Sequence, residues 1–234
     1  MKIVALIPAR SGSKELINKN IKEYKGIPLL VHSINVALQS KYIKDVYVST
    51  DSEEYQEISI KYGSKVTPLR PKEISDDLSP DIDTFHHFIQ MHKDKNLFIQ
   101  DIPDIIVHLR PTYPNRTVEM LDKAIEVFLE NYESYDSLRS VIKIDKTPYK
   151  MYYIQNNHLI PYLPNHPYLI EPFNQARQNF PETFLHNGCI DIVKTNNIIK
   201  NNLLSGLNIY PFVMDENEMN DIDNLSDFIL SENK

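Results

Sequence analysis

Short apolar runs alternate with segments of helical spacing along most of the chain. Runs rich in apolar and β-branched residues predict strands at 3–7, 46–49, 66–69, 105–109, 138–144, 186–193 and 209–213. Apolar residues three and four positions apart predict helices at 29–39, 53–62, 82–92, 118–130 and 225–230. Such alternation predicts an α/β fold, in which helices cover both faces of a mostly parallel sheet. Ligands of such sheets bind at the carboxyl ends of the strands.

The alternation stops near residue 145 and resumes near 183. The segment 145–182 is rich in proline and tyrosine, and it contains a predicted hairpin at 151–154 and 159–162 with its turn at Asn156-Asn157. A long excursion of this kind usually packs against something, often a second subunit. We therefore predict one α/β domain, 1–144 with 183–234, and an inserted arm, 145–182, that serves dimerisation.

Composition and charge narrow the classes of function. The net charge of −7 argues against general nucleic-acid binding, which favours basic surfaces. No apolar stretch approaches the roughly 18 residues that a membrane span needs, and the apolar run at 3–7 is too short for a signal peptide. Because Cys189 is the single cysteine, no internal disulfide can form, which fits a reducing compartment. We expect a cytoplasmic protein with no membrane or nucleic-acid partner.

The loop after the first predicted strand concentrates positive charge. Arg10, Lys14 and Lys19 lie around the turn Ser11-Gly12-Ser13. Glycine lets backbone N–H groups approach a ligand closely, and cations at the carboxyl end of a strand suit a polyphosphate. The loop is neither a Walker A motif nor the three-glycine dinucleotide motif. An ordinary solvated loop with scattered lysines is the alternative.

Two carboxylates precede the last predicted helix. Alternation places Asp221 and Asp223 on one side of an extended segment. Such a pair is suited to Mg²⁺ that also contacts nucleotide phosphates. Helix capping is the alternative, because aspartate commonly begins a helix.

Several ordered motifs resemble the CMP-sialic acid synthetase (acylneuraminate cytidylyltransferase) family, including CMP-legionaminic acid synthetase-like members. They are IPARSGSK at 7–14, KNI at 19–21 and GIPL at 26–29. The resemblance implies a Rossmann-like nucleotide-diphospho-sugar transferase fold and transfer of CMP from CTP to a nonulosonic acid, with Mg²⁺ and release of pyrophosphate. It implies catalytic roles for Arg10, Lys14, Lys19, Asp221 and Asp223. It also implies nucleotide contacts from Ala9, Arg10, Ser11, Gly12, Ser13, Lys14 and Asn20.

A second segment, RPKE at 70–73 followed by an Asp/Ser-rich stretch at 76–83, resembles the family segment that closes over the cytosine base. The resemblance assigns base contacts to Arg70 and Ser79. A plain helix start is the alternative for part of this stretch, with Ser79 or Asp81 as the N-cap.

Three further motifs imply acceptor contacts. LRPTYPNR at 109–116 resembles the family's LQPTSPLR, which points to Arg110 and Thr112, although the motif also forms a turn in which Arg116 serves structure. RQNFP at 177–181 and the NG pair at 187–188 resemble family segments at the sugar pocket, with NG as a tight turn. A lysine of the arm is implied to reach the neighbouring subunit of a homodimer. The two motifs assign acceptor contacts to Arg177, Gln178, Asn187 and Gly188, and the lysine of the arm is Lys150.

The chain departs from the family pattern in places. Glu15 replaces a glycine beside the cationic loop, Arg110 replaces a glutamine and Asp191 replaces a tyrosine, while Asn115 also leaves the N-acetylneuraminate pattern. The departures at Arg110, Asn115 and Asp191 favour legionaminic acid or another bacterial diamino acid as acceptor. The alternatives are 3-deoxy-manno-octulosonate, an alditol phosphate, or an inactive nucleotide-binding paralogue. We assign no metal role to the histidines and expect Cys189 to lie in the core.

Overall fold

The computed structural model describes residues 1–14, 16–94, 101–215, 221–222 and 224–232. Two residues that carry sequence predictions, Glu15 and Asp223, lie outside the described residues.

A six-stranded sheet forms the centre of the fold, with strand order β10-β6-β9-β5-β1-β4. Strand β1 pairs in parallel with β4 and β5, and β5 pairs antiparallel with β9. The strands are β1 (Ile3–Pro8), β2 (Glu23–Tyr24), β3 (Ile27–Pro28), β4 (Asp45–Ser49), β5 (Ile105–His108), β6 (Ser137–Ile144), β7 (Tyr152–Gln155), β8 (His158–Pro161), β9 (Thr183–Lys194) and β10 (Ile209–Met214). The helices are α1 (Leu29–Gln39), α2 (Glu53–Lys61), α3 (Asp81–Lys93), α4 (Val118–Glu130), α5 (Thr195–Asn201) and α6 (Leu225–Glu232).

Helices cover both faces of the sheet because β1 is apolar on both sides. Val4 and Leu6 pack with Phe85 and Phe88 of α3 in one buried cluster. Alternation turns the intervening residues of β1 toward the other face, where α1 contacts β1, β4 and α4. The fold class predicted from the alternating pattern is confirmed, with β9 as an antiparallel member of the mostly parallel sheet.

Most predicted elements occur within one or two residues of their expected bounds. Helix α4 begins at the residue that follows Thr117, whose hydroxyl accepts a hydrogen bond from the Met120 N–H as an N-cap. The helix α5 and the short strands β2 and β3 were not predicted.

The strand predicted at 66–69 is wrong. The bridge beside this segment is an isolated one, between Lys65 and Tyr47 of β4, and does not continue into a ladder. Pro68 and Pro71 lack the N–H groups that a ladder needs, and the Thr67 hydroxyl instead donates to the Val48 carbonyl at 2.8 Å.

Two compact units make up the chain. Unit 1 contains residues 1–140, 188–212 and 220–234, and unit 2 contains 141–187 and 213–219. Within unit 2, β7 and β8 form the antiparallel hairpin expected from the sequence, with left-handed Asn156 and Asn157 at its turn. Among the described residues, no helix has both the length and the apolar character required to cross a membrane.

Candidate active site

A cleft of about 430 Å³ opens in unit 1 at the carboxyl ends of β1 and β5. Pro8 and His108, the last residues of these two strands, lie in its wall. Cationic and acidic side chains line the same cleft. The cations are Arg10, Lys19, Arg70 and Arg110, and the carboxylates are those of Asp76, Asp77, Asp81 and Asp221. Neighbouring parallel strands therefore deliver charged groups to one concave site.

The loop that follows β1 is shaped by an aspartate of the neighbouring strand's loop. The backbone N–H of the buried Ala9 donates to the Ser49 carbonyl at 2.9 Å and so extends the pairing with β4. Ser11 then donates its N–H and its hydroxyl to the two carboxylate oxygens of Asp51, at 2.8 and 3.0 Å. The expectation that loop N–H groups face a ligand is thus not met at Ser11.

One carboxylate bridges two cations of this loop. Asp77 accepts hydrogen bonds from Arg10 and, through its other oxygen, from Lys14 at 2.5 Å. The bonds with Lys14 and Arg10 hold the pKa of Asp77 below its ordinary value. Arg10 also donates to the Gly12 carbonyl at 3.2 Å. The loop and the segment around residue 77 are therefore joined by ion pairs at the cleft.

The rest of the cationic loop is held by the short 3-10 helix Lys19–Ile21. Buried Asn20 donates its side-chain N–H to the Arg10 carbonyl at 3.0 Å. Asn20, Lys19 and Ser13 line the cleft. Lys14 is not among the described residues that form its wall, and its ammonium is mostly exposed.

Arg70 is buried at the side of the cleft. Its guanidinium donates to the Ser75 hydroxyl at 3.1 Å and to the Thr84 hydroxyl at 2.7 Å. Burial among these neutral acceptors lowers the pKa of Arg70. The two bonds fix the side chain between the 70–75 turn and α3.

Ser79 lies in the cleft wall but does not cap α3. The residue before the helix is Pro80, and it makes no side-chain cap. The Ser79 hydroxyl instead donates to the Asp76 carboxylate at 2.9 Å, and Asp81 is the first residue of the helix, so the alternative that Ser79 or Asp81 is the N-cap is wrong for both. A serine two residues before the first helical residue is too far away to accept from the first-turn N–H groups.

Arg110 stands at the floor of the cleft between two carboxylates. It donates through Nη1 to Asp191 at 2.8 Å and through Nη2 to Asp81 at 3.0 Å. Although burial opposes a charge here, Asp191 and Asp81 raise the pKa of Arg110. The predicted tight turn at Asn187 and Gly188 is wrong, because both residues lie within β9; Gly188 has a φ of +71°, which glycine adopts without strain.

His108 is buried beside this ion-pair cluster. Its ring contacts the Phe85 ring edge-on, with 5.2 Å between centroids, and its Nδ1 lies 3.9 Å from the Asp191 carboxylate. Burial, reinforced by the positive charge of Arg110, lowers the pKa of His108 to about 4. The ring is therefore neutral at physiological pH.

Asp221 reaches the cleft because the backbone around it is tied to the 109–116 motif. The N–H of buried Ile222 donates to the Thr112 carbonyl at 2.8 Å, and both Thr112 and Asp221 line the cleft. Mg²⁺ at nucleotide sites is held by one or two carboxylates and by phosphate oxygens. The donor chemistry of Asp221 fits this ion. Within the described residues, no group of three or more metal-ligating side chains occurs.

Four predicted acceptor residues belong to unit 2. Arg177 forms an ion pair with Asp145 at 2.8 Å and lines a cavity of about 190 Å³ within that unit, together with Gln178. Lys150 lies in the wall of an adjoining cavity, and Asn187 is buried with its amide 3.4 Å from the sulfur of Met214. Their roles toward an acceptor stay predictions.

Sequence reasoning missed the anionic side of the cleft. Asp77 and Asp81 lie in the 76–83 stretch, in which the sequence analysis assigned a binding role to Ser79 alone. The position of Asp51 at the end of β4, beside β1, was an available signal. Arg139, which donates to Asp191 at 3.1 Å, carried no signal in a single sequence.

Comparisons with known proteins agree with the fold and the family. The chain matches the family model described as cytidylyltransferase over residues 4–200. It is 36% identical to the CMP-N,N'-diacetyllegionaminic acid synthase of Legionella pneumophila over 127 residues, which cover 54% of this chain and 53% of that protein. It is 29% identical to an N-acylneuraminate cytidylyltransferase of Escherichia coli over 230 residues, 98% of this chain and 51% of that protein. The chain thus spans about half the length of these two relatives.

A solved structure of CMP:2-keto-3-deoxy-manno-octonic acid synthetase complexed with CTP superposes with a TM-score of 0.69 at 17% identity, covering 100% of this chain and 98% of that one. At this identity the likeness shows a shared fold. The match to the family model extends over most of the chain and includes the cationic loop, the 70–84 segment, the 109–116 motif and Asp191. The chain therefore belongs to the cytidylyltransferase family.

Proposed function

We propose that this protein transfers CMP from CTP to a nonulosonic acid, giving a CMP-sugar and pyrophosphate. The observation that carries the proposal is the convergence of Arg10, Lys19 and Asp221 on one cleft at the carboxyl ends of β1 and β5. These residues come from distant parts of the chain, and their types are those that a metal-bound triphosphate requires. Membership of the cytidylyltransferase family supports CTP as the nucleotide.

The cations of the cleft act on the phosphates. Arg10 and Lys19 line the cleft and neutralise the charge that develops on the α-phosphate and on the departing pyrophosphate. Lys14 joins them once its ion pair with Asp77 is exchanged for a phosphate. Asn20 holds the loop through the Arg10 carbonyl, which fixes the start of the cationic segment.

Arg70 and Ser79 are proposed to contact the cytosine. Hydrogen bonds to Ser75 and Thr84 hold the Arg70 guanidinium in place. Its other N–H groups are therefore preorganised to donate to the carbonyl of the base. Ser79 lines the cleft nearby.

Asp221, with Asp223 as the second expected ligand, would hold Mg²⁺. When bound, the ion neutralises the triphosphate and polarises a phosphoryl oxygen. The role of the protein is to present a carboxylate oxygen beside the cations of the cleft.

The reaction forms one bond and breaks one bond. The anomeric hydroxyl oxygen of the acid bonds to the α-phosphorus, and the bond from that phosphorus to the bridging oxygen of pyrophosphate breaks. The hydroxyl proton leaves to solvent. Positioning and charge stabilisation carry phosphoryl transfer of this kind, which needs no covalent side-chain intermediate.

The acceptor is an acidic sugar. We propose legionaminic acid or a related diamino acid, because Arg110 and Asp191 stand where the N-acetylneuraminate pattern has glutamine and tyrosine and because a relative is named for CMP-N,N'-diacetyllegionaminic acid synthesis. Arg110, Thr112 and Gly188 would line its place in unit 1. Acceptor contacts are also proposed for Lys150, Arg177, Gln178 and Asn187.

A homodimer in the cytoplasm completes the proposal. The hairpin of unit 2 exposes large apolar side chains, Ile154 and Leu159 among them, which a second subunit would cover. Cys189 is buried and is the single cysteine of the chain, which is compatible with a reducing compartment.

Pyrophosphate release tests the proposal. The purified chain is mixed with CTP, Mg²⁺ and one acid at a time: legionaminic, pseudaminic, N-acetylneuraminic or 3-deoxy-manno-octulosonic acid. We expect pyrophosphate and a CMP-sugar in equal amounts with a nonulosonic acid, and none without acid. Turnover with the octulosonic acid alone would replace the proposed acceptor, and CTP binding without turnover for any acid would identify an inactive paralogue.

A further inference from the structure

The guanidinium of Arg110 is held by two carboxylates that differ in their surroundings. Asp191, on β9, accepts from Nη1, and Asp81, the first residue of α3, accepts from Nη2. The side chain of Asp191 is 5% exposed, whereas that of Asp81 is 49% exposed. The same arginine therefore has one buried partner and one that water reaches.

Asp191 is fixed from more than one direction. Its second oxygen accepts from Nε of Arg139 at 3.1 Å, and Arg139 is itself anchored to the Ser205 hydroxyl at 2.9 Å. Removing a buried carboxylate from such a pair leaves arginine charge uncompensated. Asp191 is therefore a permanent partner of Arg110.

Gly188 completes the seat of the guanidinium. A Cβ at this position would lie 3.3 Å from Nη1 of Arg110 and 3.4 Å from its Cδ. The glycine thus leaves the room in which Arg110 reaches Asp191. The residues at 110, 188 and 191 form one preorganised unit at the cleft floor.

Asp81 lies on the open side of this unit. Both Asp81 and Arg110 line the cleft, while Asp191 is not among the described residues that form its wall. Because Asp81 lines the cleft and binds Nη2, we infer that a ligand reaches Arg110 from the Nη2 side. An incoming carboxylate offers the same two oxygens as Asp81 and matches the planar fork of arginine.

We propose that the carboxylate of the acceptor displaces Asp81 from Arg110, while Asp191 keeps the guanidinium in position throughout. Asp81 is an exchangeable counter-ion and Asp191 is a positioning residue. The exchange preserves the charge balance, because one carboxylate replaces another and the released Asp81 side chain turns to water. This inference rests on the proposed function and names the group by which the acid is recognised.

Opposite effects of two aspartate substitutions test the exchange. Asp81→Asn weakens the competing counter-ion, so the acceptor KM is expected to fall by about threefold. Asp191→Asn releases Arg110, so the acceptor KM is expected to rise by about tenfold or more. Neither change is expected to move the KM for CTP by more than about twofold, because the effect is confined to the acceptor side.

Asp83→Asn is the matched control. It removes the same charge from α3 two residues further on, at a cavity that Asp83 shares with His86 and His87, and it is expected to leave the acceptor KM unchanged. Arg110→Gln should raise the acceptor KM and abolish the gain from Asp81→Asn in the double variant. Thermal melting checks that each variant is folded.

The outcomes separate the inference from the function beneath it. If the wild type turns over an acid but Asp81→Asn raises the acceptor KM or leaves it unchanged, the exchange is refuted and the proposed function stands. Because Asp81 is exposed, that result does not depend on whether Asp191→Asn folds. If the wild type turns over no acid in the panel, the proposed function fails and the inference fails with it.

Discussion

Arg116 is buried and bonds to the backbone of Arg110, and removing its donors should destabilise unit 1. The side chain is buried and donates to the Cys189 carbonyl at 2.8 Å, the Ser33 hydroxyl at 2.9 Å and the Arg110 carbonyl at 3.1 Å. It thereby joins β9, α1 and the motif that follows β5. Burial lowers the pKa of Arg116, since its bonds go to neutral groups.

Arg116→Met keeps the length of the side chain and removes all three bonds. Each hydrogen bond from a charged donor contributes about 1.5–3 kcal/mol. Relief of the buried charge offsets part of that loss, which leaves a net destabilisation of about 3 kcal/mol. For a chain of this size the expected fall in Tm is about 6–12 °C.

Urea unfolding and calorimetry measure the change. Lys41→Met is the control, because Lys41 forms an exposed ion pair with Glu126 at 2.8 Å, and loss of such a pair should shift Tm by less than about 2 °C. A shift for Arg116→Met that is no larger than the control would refute the view that its three bonds hold the elements together.

Three further predictions follow from single contacts. Asp77→Asn frees two loop cations and should tighten CTP binding severalfold in calorimetric titrations, whereas Asp76→Asn should not; equal effects would contradict this. The pKa of His108 is lowered from 6.5 to about 4, so on acidification the unfolded chain protonates this ring before the folded chain does, and the free energy of unfolding should fall by up to about 3 kcal/mol between pH 6.5 and pH 4. His108→Gln should flatten that part of the stability profile, and an unchanged slope would contradict the assignment to His108. Gly206→Ala places a Cβ 2.3 Å from the Cβ of Asp136 at a φ of +71° and should cost about 2–4 kcal/mol by urea unfolding; wild-type stability would contradict the clash.

The sequence was a good guide wherever a local pattern determined the structure. Helix α4 has a clean 3.6-residue apolar period and a threonine cap, and it was predicted at its observed bounds. The strand predicted at 66–69 failed because its apolar composition was given more weight than Pro68, which cannot donate to a ladder. Local sequence patterns indicate which backbone conformation a segment prefers. They do not reveal that a segment is held in place by a single hydrogen bond to a distant residue.

The partners of the site residues could not be predicted in the same way. Arg10 meets Asp77 across 67 positions, and Arg110 meets Asp191 across 81. The sequence indicated that Arg110 and Asp191 both depart from a family pattern, but only the pairing of β5 with β9 brings them into contact. Cationic loops are visible in one sequence, whereas their counter-ions depend on topology.

We propose that the cationic loop and Asp221 act together on one magnesium-bound triphosphate. Calorimetric titration of CTP, with and without Mg²⁺, tests it through the ratio of the two Kd values. For the wild type we predict that Mg²⁺ tightens CTP binding by about tenfold. Asp221→Asn is expected to abolish this tightening, whereas Lys19→Gln is expected to weaken CTP binding and to keep the tightening by Mg²⁺. A wild-type magnesium effect in Asp221→Asn would contradict a role for Asp221 in holding the ion.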